Sequence, residues 1–260
     1  MSASASPKNL LLIVLPALRA WHYHADKMPF DFSHCVTRYM EAASKGKYPR
    51  EKSWDSIWDY FQPFVATREA RASLLREDRL EVTALHIGFY LASWGMFRGR
   101  GALLRQNLDF FKNLAVYLLR QPPEGFWSLQ FDCFREDRQA VQLFNEVRKA
   151  LGDFVSRETG QGDSNLIVGK LLLGVWGQCP AVDENVRTGI VAFKRELDKH
   201  RPAAALSGEL LQFLAGEAHN GPWNLNQQRA DGGGYPKGKV VDMAFHQYGS
   251  PRDENGAGRP

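Results

Sequence analysis

One carboxylate stands out for its position. In the stretch Gly169–Ile190, GKLLLGVWGQCPAVDENVRTGI, an apolar helical pattern runs into Gly177 and Pro180, and Asp183 follows two apolar residues. Asn185 and Val186 then open a second helical pattern. An aspartate there can accept backbone N–H bonds from the next helical turn, as an N-cap. It can also do chemistry: a carboxylate in apolar surroundings stabilises a developing positive charge and orients or deprotonates water. Burial beside Val182 and Trp176 would strengthen that field and raise its pKa. Lys170 is the nearby amine. On a 3.6-residue helix it is expected well along the axis from the helix start, as a snorkelling or structural residue.

A second constellation is YLASWGMFRGRGALLRQN, residues 90–107. Gly95, Gly99 and Gly101 interrupt a helix, with Arg98 and Arg100 between them and Gln106 and Asn107 beyond. A Gly–Arg turn at a helix start suits a phosphate or another anion, and a solvated surface loop reads equally well. Gly160 and Gly162 form a turn before a further helix, with Ser164 at its start. Such a turn can offer amides to a phosphate or serve as an ordinary inter-helix loop. His22 and His24 with Asp26 mimic a metal trio, but their spacings diverge on a helix and no second ligand cluster follows. Asp242 and His246, one turn apart, read as a structural pair. No nucleotide, dinucleotide or zinc-protease fingerprint occurs, so neither a metal nor a cofactor is expected.

These residues need a scaffold, and the chain supplies helices. The patterns DFSHCVTRYMEAASKG, SWDSIWDYFQPF, REARASLLRED, RLEVTALHIGFYLASWGM, GALLRQNLDFFKNLAVYLLRQ and DRQAVQLFNEVRKALGDFVSRE are helical, as are SNLIVGKLLLGVW, VRTGIVAFKRELDKH and LSGELLQFLAGEAH. Ser53 is the expected cap of the second, Gly46 the stop of the first. The fourth is apolar on nearly every side and is expected to be a buried central helix. Period-2 alternation is scarce, so the fold class is all-α, about eight to ten helices in a single domain over residues 1–249. Residues 220–238 read as a loop-rich insertion, 239–248 as a last helix docking back, and 250–260 as a disordered tail.

The chain has 260 residues, 44% hydrophobic and 24% charged, enough for an ordinary core. The net charge of +4 suits a polyanionic partner without requiring one. Three cysteines (Cys35, Cys133 and Cys179) without a CxxC spacing argue against a disulfide framework and a cysteine zinc site. The apolar run Leu10–Leu18 is too short to span a bilayer and reads as a core segment. A cytoplasmic monomer is the expectation.

VWGQCPAVDENVRTGI resembles the helix-hairpin-helix DNA glycosylases, in which a Pro, two residues, an Asp, one residue, Asn and Val open a helix. The matching residues are Pro180, Asp183, Asn185 and Val186. The family's Leu-Pro-Gly-Val-Gly hairpin is replaced by Gly160-Gln161-Gly162. The resemblance implies an all-α enzyme on double-stranded DNA, with Asp183 supporting base excision and Asn185 at the DNA-facing helix start. It implies a hairpin grip through Gly160, Gly162 and Ser164. It also implies insertion of the Arg98, Arg100, Gln106 and Asn107 loop at the flipped base. Trp94, Tyr90, Trp176 and Phe89 are the aromatics available to a base pocket. In members that are also lyases, a lysine stands about nineteen residues before the aspartate. Here that position is Ser164. The resemblance therefore implies a monofunctional enzyme with water as nucleophile, Lys170 being the less favoured amine. The divergent hairpin and glycine-interrupted loop point to a bulky modified base, such as modified phage DNA carries. A non-catalytic helical DNA-binding module and a small nucleoside or nucleotide hydrolase remain the alternatives.

Overall fold

A computed structural model describes residues 29–45, 47–98, 101–162, 165–197 and 203–250. Several expectations lie outside the described residues: the Leu10–Leu18 segment, the His22, His24 and Asp26 trio, Gly46, Gly99, Arg100, Ser164, and the tail from residue 251.

Local capping explains where most helices begin. Asp31 accepts the His34 amide at 2.9 Å and starts α1 (Phe32–Ser44), whose Phe32, Cys35, Val36 and Tyr39 form one buried stripe. The next helix, α2 (Ser53–Phe61), buries Trp54, Ile57 and Phe61. Ser53 lies inside it and makes no cap bond, contrary to the expectation. Thr67 caps α3 (Arg68–Ser73).

That short helix exposes Arg68, Glu69 and Ala72, as a charged surface helix should, but it buries one of its arginines. Arg71 is 2% exposed, donates to the Val65 carbonyl at 2.7 Å, pairs with Glu124 and lies over the Trp127 ring. Its stem and guanidinium fill a gap that an aliphatic residue would otherwise occupy.

The chain continues through α4 (Glu77–Ser93), a 3-10 turn at Ala102–Arg105, and α5 (Leu108–Arg120), which ends before Pro122. α4 was expected to be buried all round. It buries Thr83, Ala84, Ile87, Tyr90 and Leu91, while Val82, Leu85 and Phe89 are exposed. The short α6 (Glu124–Trp127) precedes α7 (Arg138–Thr159), which Asp137 caps and Gly160 closes in the left-handed conformation. Then come α8 (Asn165–Val175), α9 (Glu184–Glu196), α10 (Gly208–Asn220, capped by Ser207) and α11 (Lys237–Gly249).

The described residues are all-helical apart from one isolated bridge between Gln228 and Gly234. Among them no helix is long and apolar enough to cross a membrane.

Two packing arrangements matter for the site. In the first, α8 is buried along its whole run from Ile167 to Val175, between α2, α4 and α7. In the second, α11 packs between α9 and α1. The α9–α11 crossing is tight enough that a Cβ on Gly249 would strike the Asn185 carbonyl, and one on Gly189 the Phe245 carbonyl. Small residues let these helices approach closely, and so fix their register.

Candidate functional site

The site is built where α8 meets the chain that follows it. Lys170 is the single charged residue in the buried stretch of α8, with its side chain 2% exposed. After Val175 the chain turns and runs back along the helix. The Ala181 carbonyl then lies so close to Gly169 that no Cβ would fit there. This return brings Asp183 to Lys170: Nζ donates to Oδ2 at 2.8 Å. Of the snorkelling and structural readings of Lys170, the contact made is the structural one, at closer range than its place along the helix suggests. Helical rise separates residues on a continuous helix, whereas here thirteen positions include a reversal.

Asp183 is also the cap of α9. Its Oδ1 accepts the Val186 amide at 3.0 Å, so one carboxylate serves both functions. The residue before it, Val182, has a φ of 46°. A β-branched side chain is strongly disfavoured in that region, at a cost of about 1–3 kcal/mol, so the surrounding contacts must hold it there.

Asp183 has its pKa lowered to about 2. Burial acts in the opposite direction, as the sequence suggests. The Lys170 charge and hydrogen bond, the His246 charge and the Val186 amide together outweigh it. The carboxylate is ionised at neutral pH and remains 17% exposed.

Aromatic residues from α4 complete this side. The Tyr90 ring lies so close to Gly174 that a Cβ there would collide with it. One turn on, the Trp94 ring sits 4.0 Å from Lys170 Nζ. Arg50 also approaches Trp94, at 5.5 Å.

From α11, His246 Nε2 lies 3.2 Å from Asn185 Nδ2. The two groups are within hydrogen-bond reach of each other. Burial lowers the His246 pKa, against the pull of Asp183 and Asp242.

Beneath these groups lies a second pair that the sequence reading did not single out. Lys239 Nζ donates to Asp242 Oδ2 at 3.1 Å and to the Tyr39 hydroxyl at 3.2 Å. The two side chains are 1% and 3% exposed. Burial works against the Lys239 ammonium, yet Tyr39 and Asp242 hold its pKa above the ordinary value. Burial pushes the Tyr39 hydroxyl up to about 12. Asp242 also accepts the Ala181 amide on Oδ1 at 3.0 Å. Asp242 thus hydrogen-bonds Lys239 and Ala181, not the His246 expected from helical spacing. An available signal was the buried lysine itself: an ammonium inside an apolar helix requires a carboxylate.

The remaining expected residues divide. A cavity of about 350 Å³ is lined by Met96, Arg98 and Gly101 on one side and Gln161, Leu166 and Ile167 on the other. Residues of the Gly–Arg loop, just after Trp94, and Gln161 of the Gly160–Gly162 turn, ahead of Lys170, thus line one cavity. Gly160 serves to end α7, and its backbone is left-handed for that reason. Asn107 caps α5, accepting from Asp109 and Phe110 at 3.1 and 3.3 Å. Gln106 donates to the Ala102 carbonyl at 3.3 Å. Trp176 packs against Phe126 and Trp127 in a separate aromatic group. Phe89 is 60% exposed. Among the described residues no cluster of His, Cys, Asp and Glu is arranged to hold a metal ion.

Arranged this way, the site can present an ionised carboxylate, a neighbouring ammonium and an aromatic face, while the cavity is lined by other residues of the same two segments, from Gly95 to Ala102 and from Gln161 to Ile167. No known family model, curated protein or solved structure matches the chain.

Proposed function

We propose that this protein is a DNA glycosylase, hydrolysing the N-glycosidic bond of a flipped, modified base in double-stranded DNA as a monomer. The observation that carries the reading is the ionised Asp183 at the start of α9, paired with Lys170 and bordered by Trp94. The resemblance of Pro180, Asp183, Asn185 and Val186 to the helix-hairpin-helix glycosylases supports it. So does the arrangement of α7 and α8, two helices joined by a short glycine turn immediately upstream.

In this reading the C1′–N bond breaks and its electron pair leaves with the base. Asp183 stabilises the cationic sugar, and water adds to C1′. The proton lost by the water passes to the carboxylate or to solvent. The cavity beside Arg98 and Gln161 receives the extruded base, with its apolar wall of Met96, Leu166 and Ile167 suited to a bulky substituent. Such a substrate fits defence against phages with modified DNA.

The test is Asp183→Asn, which keeps a capping side chain. Abasic-site formation on a panel of modified duplexes should fall about 10²–10⁴-fold, with duplex affinity at low salt retained. Duplex binding without base release from any substrate by the wild type would leave a non-catalytic binding module, and absence of both sinks the reading.

A second reading is favoured by the 2.8 Å contact of Lys170 with Asp183. After its proton passes to Asp183, the Lys170 amine would attack C1′ as the base leaves with the C1′–N electron pair; opening of the C1′–O4′ bond then gives a Schiff base that borohydride traps covalently on DNA. A trapped adduct lost in Lys170→Met would favour this route over water attack.

A further inference from the structure

The buried Lys239–Asp242 pair has no solvent-facing group and no place in the proposed bond cleavage. Its connections nevertheless lead to Asp183. Asp242 holds the Ala181 amide through Oδ1, while its Oδ2 accepts from Lys239, which also donates to the Tyr39 hydroxyl on α1. Two residues after Ala181 comes Asp183, and between them Val182 has positive φ. Val182 cannot relax to an extended backbone while Ala181 is held on one side and Asp183 on the other.

We propose that Asp242 is a positioning residue for Asp183: its hydrogen bond to the Ala181 amide holds the Val182 turn that points the Asp183 carboxylate at Lys170. The role of Asp183 in cleavage rests on the glycosylase reading. The mechanical link from Asp242 through Ala181 and Val182 does not.

The experiment compares two double variants in the full chain. Lys239→Met/Asp242→Asn removes both buried charges and keeps a carbonyl acceptor for the Ala181 amide. Lys239→Met/Asp242→Leu is of similar size and lacks it. Two measurements are made on each. The first is titration of the Asp183 carboxyl by carbon NMR, which needs no substrate. The Asn variant should stay near the native value of about 2. The Leu variant should titrate higher, because its carboxylate drifts from Lys170. The second is single-turnover base release. The Asn variant should remain within about threefold of wild type. The Leu variant should fall about a hundredfold, as expected for a displacement near 1 Å.

Equal Asp183 titrations in the two folded variants overturn the proposal. If the titrations differ but neither variant nor wild type releases a base, positioning stands and the glycosylase reading fails. Should the Leu variant not fold, hydrogen exchange in the wild type decides: the Ala181 amide should be protected to the level of the α8 core, and exchange at an exposed-loop rate overturns the proposal.

Discussion

Two lysine–aspartate pairs lie in the electrostatic reach of one histidine, His246, and they are built differently. Lys239 and Asp242 are neighbours on one helix, three residues apart, and both are sealed from solvent. Lys170 and Asp183 come from a helix and from the cap of the next, and Asp183 keeps one edge open. The sealed pair shares its charges with a tyrosine and a backbone amide, leaving nothing for a ligand. The open pair shares its charges with a cap amide and an aromatic ring, and its carboxylate side alone keeps partial exposure. Matching residue types thus give a sealed pair in one place and a part-open carboxylate in the other. Solvent access and the origin of the partner make the difference.

The contrast can be broken most severely at the sealed pair. Asp242→Ala leaves a charged, buried Lys239 and an unpaired Ala181 amide. It should cost about 4 kcal/mol of unfolding free energy in urea titrations. Asp183→Ala should cost less, about 2–3 kcal/mol, because water can reach Lys170 from the open side. Equal losses would mean that the two pairs are energetically alike.

A smaller effect follows from acidity. The Asp183 pKa is depressed, so its stabilisation is fully present above the unfolded value near 4 and is lost as pH falls through about 2. Across that window the protein should lose about 2 kcal/mol through this group. In Lys170→Met, burial is opposed only by the His246 charge and the Val186 amide. The acid limb of base release should then move upward from about 2, which a pH–rate profile reads.

The smallest change concerns the residue joining the two pairs. Val182→Gly removes the positive-φ strain and should stabilise the fold by up to about 1 kcal/mol, as measured by thermal melting. Base release should slow at the same time, since the turn is no longer forced. A faster variant would show that the strain opposes the site rather than serving it.

The sequence was informative about elements and less so about their meetings. Periodicity in Phe32–Tyr39 and the stop at Pro122 are local signals, and the helices appear where they predict. The cap role of Asp183 was legible for the same reason, as it concerns three consecutive residues of backbone. The Lys170 contact was not, because it depends on the chain reversing after Val175 and sliding past Gly169. The same limit hid Asp242, whose partners are Lys239 and an amide 61 positions earlier rather than the histidine one turn away. Arg71 shows a related gap: composition marks an arginine as exposed, whereas Trp127 and Glu124 make a buried seat for it.

The hydrogen bond from Lys239 to Tyr39 spans 200 positions of the chain. A ribosome delivers the amino-terminal helices first, and α1 must wait, unbraced, until α11 emerges. Loop closure over that length makes the last docking step costly in entropy and slow in comparison with forming any one helix. A nascent chain therefore carries Asp183 before it has the brace beneath it. Any truncation before Lys237 should yield a protein with helices but without a finished site.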